Sequence, residues 1–265
     1  MVKPLKKFGQ NYLMDKNIIR KIAEEINPQP DDSILEIGPG QGALTQELYR
    51  LSADFRAVEI DRRVIEYLQN GFPGLKIINE DFLKINLKEI AGEKKLRIAG
   101  NIPYNITSPI VFKLIEEREC IKDAVLMVQN EVAKRMSAKM KSKDYGIFSV
   151  VLNYFAEVKY CFKVSPNVFF PRPNVDSAVV HLKFKEIPDD GVDPALFIKV
   201  VKGAFGNRRK TLKNSFSNSI FGAEIFEGCG VDFSKRAEEL ELNDFLTLTR
   251  FVQSKNDLSF LPAGL

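Results

Sequence analysis

The 265-residue sequence predicts an α/β fold, a doubly wound and mostly parallel sheet followed by a small helical domain. Three observations predict it. Short Ile- and Val-rich runs alternate with segments of helical period from Ser33 to about Val128. A glycine-rich turn follows the first run. Beyond a Pro-, Gly- and Asp-containing stretch the chain keeps mainly helical periodicity.

Taken in order, the runs Ile34–Ile37, Phe55–Glu59, Leu75–Ile78, Leu96–Ala99 and Ala124–Val128 are each four or five residues long. They are continuous rather than alternating, as strands covered on both faces tend to be. Helix candidates lie between them at Gly42–Arg50, Arg62–Asn70 and Pro109–Arg118. Two further strands, Glu157–Val164 and Ala178–Lys185, flank a loop holding Pro166, Pro171 and Pro173, and are expected to close the sheet as a hairpin-like pair. The segment Glu186–Pro194 reads as a linker, and Ala195–Lys255 as helical. The expected domains are 1–187 and 188–265.

Composition narrows the class. Net charge is +4, from 39 Lys and Arg against 35 Asp and Glu, so the placement of charge matters more than its sum. Three separated cysteines and a single His181 offer no metal-ligand spacing, so no metal is expected, and the cysteines read as small buried apolar residues in a reducing compartment. His181, in the alternating run Val180-His181-Leu182-Lys183, reads as a surface or satisfied strand histidine. The start, MVKPLKKFGQNYL, has no apolar signal-type core, and no run of about 18 apolar residues occurs. A cytoplasmic protein that does not span a membrane is expected.

The first strand leads into Glu36-Ile37-Gly38-Pro39-Gly40-Gln41-Gly42-Ala43. Glycines here permit a tight turn and a close backbone approach to a ligand. Glu59, 21 positions after Gly38, ends the second strand and can accept hydrogen bonds from ribose hydroxyls. Both dinucleotide-binding and S-adenosylmethionine-binding sheets use that pair, and the motif alone does not separate them. Asp81 adds a carboxylate at the same edge, suited to an adenine amine with Phe82 against the ring; a helix-capping aspartate is the other reading.

The fourth strand ends in Gly100-Asn101-Ile102-Pro103-Tyr104-Asn105. An adenine amine is a poor nucleophile because its lone pair is delocalised into the ring. Activating it takes acceptors for both amine hydrogens, here the Asn101 side chain and the Ile102 carbonyl. Pro103 stiffens the turn, and Tyr104 supplies a stacking face. Methyl transfer from a sulfonium then depends mainly on positioning and electrostatics, with no strong base required. A base taken out of its stack is usually sandwiched; in Val168-Phe169-Phe170-Pro171-Arg172-Pro173, either Phe169 or Phe170 can form the second face.

These residues resemble the small-subunit ribosomal RNA adenine dimethyltransferases, the dimethyladenosine transferase family. The likeness runs over nearly the whole chain: Phe8 to Leu13, Glu36 to Thr45, Glu59 with Asp61, Asp81-Phe82, Gly100 to Tyr104, Phe169 to Ala178, and Phe205 to Leu212. The resemblance implies a Rossmann-like class I methyltransferase domain with a mostly parallel seven-stranded sheet, then a small C-terminal helical domain. It implies that Gln10, Asn11 and Leu13 close over S-adenosyl-L-methionine, that Gly38 and Gly40 lie against its methionine part, that Glu59 and Ile60 hold the ribose region, and that Asp81 and Phe82 hold the adenine. Asn101 to Tyr104 match the catalytic tetrapeptide and Phe169 the second stacking aromatic. The implied reaction converts two adjacent adenosines near the 3′ end of small-subunit rRNA to N6,N6-dimethyladenosine, within a pre-ribosomal particle and by a monomer. Ile102 stands where Leu is common, and Asn174 where Lys is, so no basic contact is carried over at Asn174.

Two basic clusters fit an RNA substrate. Lys134, Arg135, Lys139, Lys141 and Lys143 follow the fifth strand, and Lys202, Arg208, Arg209, Lys210 and Lys213 open the helical domain. A solvated helix face is the plainer reading of either. Three rival functions share part of the pattern. A macrolide-resistance-type methylase of large-subunit rRNA has the same Asn-Ile-Pro-Tyr element, but Val175 to Val180 and Arg208 to Leu212 favour the small-subunit branch. A nicotinamide dehydrogenase leaves Asn101–Tyr104 without a task. A non-catalytic assembly factor would not need Asn101, Tyr104, Glu59 and Asp81 together.

Overall fold

The computed structural model describes residues 2–5, 8–186, 191–207 and 209–256. In chain order the elements are β1 (Tyr12–Leu13), α1 (Lys16–Ile26), β2 (Ser33–Ile37), α2 (Ala43–Leu48), β3 (Asp54–Val58), α3 (Arg62–Gly71), β4 (Lys76–Ile78), α4 (Leu87–Ala91), β5 (Leu96–Asn101) and α5 (Thr107–Glu116). They continue with β6 (Ile121–Gln129), α6 (Asn130–Met136), α7 (Ile147–Phe155), β7 (Ala156–Val164), β8 (Phe169–Phe170), β9 (Ser177–Phe184), α8 (Pro194–Ala204), α9 (Leu212–Ser217) and α10 (Leu242–Asn256). The chain divides into two compact units, Met1–Lys134 with Ala156–Lys185, and Arg135–Phe155 with Glu186–Leu265.

The first unit holds a seven-stranded sheet in the order β4-β3-β2-β5-β6-β9-β7. The first five strands are parallel, and β9 lies between β6 and β7, antiparallel to both. All five residues of β2 are buried, which explains why the run is apolar without alternation. The strand order turns back between β2 and β5, and in such sheets the crevice beyond the carboxyl ends at that point is where ligands bind. A separate two-stranded ladder, β1 with β8, sets Leu13 opposite Phe169 and Tyr12 opposite Phe170.

Helix α1 is additional to the elements expected from the strand–helix rhythm. Asp15 caps it by accepting from the Asn17 and Ile18 amides, and Ile19, Ile22 and Ile26 form its buried face at helical spacing. Its last turn sits on a charged network near the start of β5 and β6. Arg97, 7% exposed, donates Nε and Nη2 to the two oxygens of Asp123 at 2.8 and 2.6 Å. It also donates to Asp32 and to the Ile26 and Asn27 carbonyls. His181 bridges Asp123 (3.0 Å) and Glu25 of α1 (2.7 Å), so it is the satisfied strand histidine, buried rather than at the surface. Burial opposes its charge, yet the two carboxylates prevail and hold the imidazole above its ordinary value.

The second unit takes in a segment that lies ahead of the expected boundary at 187/188. The segment Arg135–Phe155 belongs with the C-terminal helices rather than with the sheet. The physical reason is α7, Ile147–Phe155, which buries six of its nine residues and needs cover nearly all round. Tyr154 and Phe155 meet Phe197 of α8 with ring centroids 4.8 and 6.0 Å apart. The expected linker ends earlier than its pattern suggested: Asp193 caps α8 by accepting from Ala195 and Leu196, and Pro194 is its first residue. Linker residues 187–190 lie outside the described residues.

Candidate active site

A cavity of about 260 Å³ opens at the carboxyl ends of β2, β3, β4 and β5. Five segments build most of it: the strap Phe8–Leu13 ahead of α1, the turn Glu36–Gln41, the strand ends Val58–Ile60 and Glu80–Leu83, and Gly100–Ile106. Gln10, Asn11, Leu13, Gly38, Gly40, Glu59, Ile60, Asp81, Phe82, Asn101, Ile102, Pro103 and Tyr104 all line this one space.

Gly38 and Gly40 have φ of +61° and +55°, a region that disfavours other residues. A Cβ on Gly38 would meet only open space, whereas one on Gly40 would come within 3.0 Å of the Tyr12 ring. Gly40 therefore lets the strap come down onto the turn. The strap is tied by its own side chains. Gln10 accepts from the Leu5 amide (2.8 Å) and the Tyr12 hydroxyl (3.1 Å), and donates to Asp61. Burial, with the Asp61 and Glu59 charges, pushes the Tyr12 phenol up to about 12.

Glu59, buried at the end of β3, turns Oε1 to the Ile60 and Asp61 amides at 2.9 Å each. Burial raises its pKa, and these amides with that of Gly40 offset only part of the rise. Asp61 is spent on Arg63, on the strap's Gln10 and on capping α3. Asp81 Oδ1 accepts from the Leu83 amide at 3.0 Å in a turn rather than at the start of a helix, while Oδ2 has no partner among the described residues. Ile60 lines the cavity and is 47% exposed, an apolar side chain only half covered by protein.

At the end of β5, Asn101 donates Nδ2 to the Asn11 carbonyl at 2.8 Å. That bond fixes the amide orientation and leaves Oδ1 without a partner among the described residues. Ile102 is buried, its amide held by the Met127 carbonyl at 3.0 Å. The Tyr104 hydroxyl lies 2.6 Å from Ser177 Oγ at the start of β9. Phe169 stands apart from the group: it does not line the cavity, and at 5% exposure its ring belongs to the hydrophobic core behind Leu13. Phe170, by contrast, is 55% exposed.

Among the cations expected to meet RNA, Lys134, Arg135 and Lys139 are exposed in and after α6, as are Lys202, Arg209 and Lys210 of the second unit. Arg208 lies outside the described residues. Tyr12 and Glu36 also line the cavity, and the motifs that contain them gave neither a role of its own. Tyr12 was readable only as part of the strap, and Glu36 was readable as a lone charge in the apolar run Ser33–Ile37.

A family model described as ribosomal RNA adenine dimethylase matches residues 2–254. The chain is 48% identical over 243 residues to the ribosomal RNA small subunit methyltransferase A of Chlorobium phaeobacteroides, covering 92% of this chain and 89% of that relative. Among solved structures it is similar to a dimethyladenosine transferase from Plasmodium falciparum, with a TM-score of 0.77, 29% identity, and 92% of this chain and 98% of that one covered. It is also similar to the 23S rRNA methyltransferase ErmE, with a TM-score of 0.66, 27% identity, and 92% and 100% covered.

Proposed function

The chain belongs to the ribosomal RNA adenine dimethylase family, and from that membership we propose how its cavity divides the work between cofactor and target base. It is an S-adenosylmethionine-dependent enzyme of the class I methyltransferase fold that dimethylates adenosine in small-subunit rRNA. The similarity to the large-subunit methylase, at 27% identity, is the more distant of the two. The targets in this reading are two adjacent adenosines near the 3′ end of the RNA, methylated at N6. A monomer acts on them within a pre-ribosomal particle in the cytoplasm. No helix among the described residues is long and apolar enough to cross a membrane.

The cavity's groups suit the cofactor. Glu59 accepts from the ribose hydroxyls, and Asp81 Oδ2 accepts from the adenine amine. Ile60 and Phe82 cover the ring with apolar surface, and the glycine turn leaves room for the amino-acid end. Gln10, Asn11 and Leu13 close the strap over it. When bound, S-adenosylmethionine supplies a methyl group made electrophilic by its sulfonium. Exchanging Glu59 for Gln removes a charged acceptor and is expected to weaken cofactor binding by about 10- to 100-fold. Calorimetric titration checks this, and unchanged affinity would remove Glu59 from the ribose site.

The observation that carries the catalytic reading is the bond from Asn101 Nδ2 to the Asn11 carbonyl. It presents Oδ1 to the target amine, so cofactor strap and base site are positioned through one hydrogen bond. Ile102 offers its carbonyl to the second amine hydrogen, and Pro103 holds the turn rigid. Tyr104 stacks on the base, its hydroxyl tethered by Ser177. Phe169 joins as the second face by turning out of the core behind Leu13. The proton leaves after methylation, when the amine has become acidic. The six exposed cations named above neutralise RNA phosphates. Labelled methyl transfer to small-subunit particles, with mass spectrometry of the digested RNA, tests the whole reading; absence of dimethyladenosine would sink it. Base–aromatic stacking contributes about 1–3 kcal/mol, so Tyr104→Ala should lose about 5- to 150-fold in kcat/KM while Tyr104→Phe keeps most activity. Equal loss in both variants would make the Ser177 tether, not the ring, the important feature.

A further inference from the structure

The end of β6 carries an amide with no task in the scheme above. The sheet runs β5-β6-β9, and Tyr104 follows β5 while Ser177 opens β9. The 2.6 Å bond between their hydroxyls takes the Tyr104 side chain past the end of β6, where Gln129 is the last residue. Gln129 pairs with Ser177 in the ladder, which sets the two side chains on one face with Cβ atoms about 5 Å apart. Met127, two residues earlier on the same pleated face, already lines the cavity, and its register partner on β5 is Asn101. Gln129 thus stands one pleat beyond the cavity wall, beside the ring proposed to hold the target base. The surrounding backbone fixes it there. The Met127 carbonyl accepts from the Ile102 amide at 3.0 Å, and the Asp176 carbonyl from the Asn130 amide at 2.9 Å. Yet the Gln129 side chain is only partly buried and has no hydrogen-bond partner among the described residues. Neither of its polar atoms is sealed from solvent.

A target base needs more than its amine held. Asn101 Oδ1 and the Ile102 carbonyl, in the reading above, accept the amine hydrogens, so both contacts are acceptors. Adenine flanks that amine with ring nitrogens, N1 on one side and N7 on the other, and each accepts a hydrogen bond. A complete match takes a donor beside the acceptors. The donors nearest the turn are engaged: Asn101 Nδ2 with the Asn11 carbonyl, and the hydroxyls of Tyr104 and Ser177 with each other. Asn105 lies against Gly9 of the strap, on the cofactor side. Gln129 Nε2 is unspent. We propose that Gln129 is a base-reading residue, its side-chain amide donating to a ring nitrogen next to the amine that is methylated. This rests on the base-site reading above. Glutamine suits the task, since the same amide pairs with the adenine edge in nucleic-acid grooves.

Single-turnover transfer of labelled methyl groups tests this on small-subunit particles whose RNA carries adenosine, 1-deazaadenosine or 7-deazaadenosine at both target positions. Each analogue replaces one ring nitrogen by C–H. The ratio of wild-type to variant rate on a given RNA cancels the analogue's own reactivity. Gln129→Met keeps the length of the side chain but cannot donate. It should be about 5- to 50-fold slower than wild type on adenosine, the usual effect of a hydrogen bond lost from a closed site. That gap should shrink to within about twofold on one deaza analogue and persist on the other, which identifies the nitrogen contacted. Affinity for S-adenosylmethionine should stay within about twofold, because Gln129 does not line the cofactor cavity. No gap on adenosine would overturn the proposal. So would the same gap on every RNA, or a fall in cofactor affinity, since both mark a structural role. Should Gln129→Met fail to fold, Gln129→Glu, of the same shape and with no amide donor, is read in the same way. Tyr104→Ala, run alongside, keeps the two readings apart. Full activity there would sink the base site itself, whereas a slow Tyr104→Ala with a silent Gln129→Met would sink only the Gln129 contact.

Discussion

Asn101→Ala should transfer labelled methyl groups to small-subunit RNA about 100- to 1000-fold more slowly than the wild type, the usual loss when one positioned polar group is removed from a reacting centre. RNA binding should stay intact, because the exposed cations proposed to meet phosphate are untouched. The variant removes two things at once: the Oδ1 acceptor proposed for the target amine and the Nδ2 donor to the Asn11 carbonyl. Asn101→Asp separates them. It keeps an acceptor oxygen but sets a carboxylate against the Asn11 carbonyl, so the group loses its fixed aim and the rate should stay low. Full activity in Asn101→Ala would end the assignment. Full activity in Asn101→Asp would show that the bond to the strap is dispensable.

The largest expected loss of stability comes from Arg97→Met. Among the described residues Arg97 is the only cation bonded to Asp123 apart from His181, and it also holds Asp32. Removing it strands buried carboxylates, which typically costs about 3–5 kcal/mol. Urea unfolding at neutral pH reads the loss, and a change below about 1 kcal/mol would mean that the network is no more than a surface-type ion pair. The pH dependence has a definite sign. Burial would raise Asp123, but Arg97 and His181 prevail and hold it down to about 2. Its contribution is present above the ordinary carboxylate value of 3.8 and is lost as pH falls towards 2. The gap between wild type and Arg97→Met should therefore narrow in acid. His181 behaves oppositely: its contribution is complete below its ordinary 6.5 and fades as pH rises through the elevated folded value. Because the network grips the end of α1, whose other end continues from the strap, its loss should also loosen the cofactor lid.

Much of this was legible along the chain because burial on both faces leaves a strand no freedom to alternate. Ile34–Ile37 and Leu96–Ala99 could be read as strands covered on both faces for that reason. Helix α1 carried its own signals, an Asp15 cap and isoleucines at helical spacing, but it lies outside the strand–helix alternation that guided the reading. The residues proposed to hold cofactor and target lie where short motifs end strands: Gly38, Glu59, Asp81 and Asn101 all arrive at one cavity. The aromatic pair was not decidable that way. Phe169 and Phe170 are chemically identical neighbours, and the ladder with β1 turns one inward and the other out.

By itself the sequence determined the sheet, the glycine turn, the chemistry of the strand ends and the helical character of the C-terminal part, since each is written in local periodicity or in a short motif. The tertiary structure alone decided what depends on partners far apart in the chain. It placed α7 with the C-terminal helices, set β9 between β6 and β7, and buried His181 between Asp123 and Glu25. It also left Glu36 facing a cavity with one oxygen unpaired. Local patterns report which face of an element is apolar, but the identity of the group across the interface is set only when chain segments as distant as Glu25 and His181 are brought together.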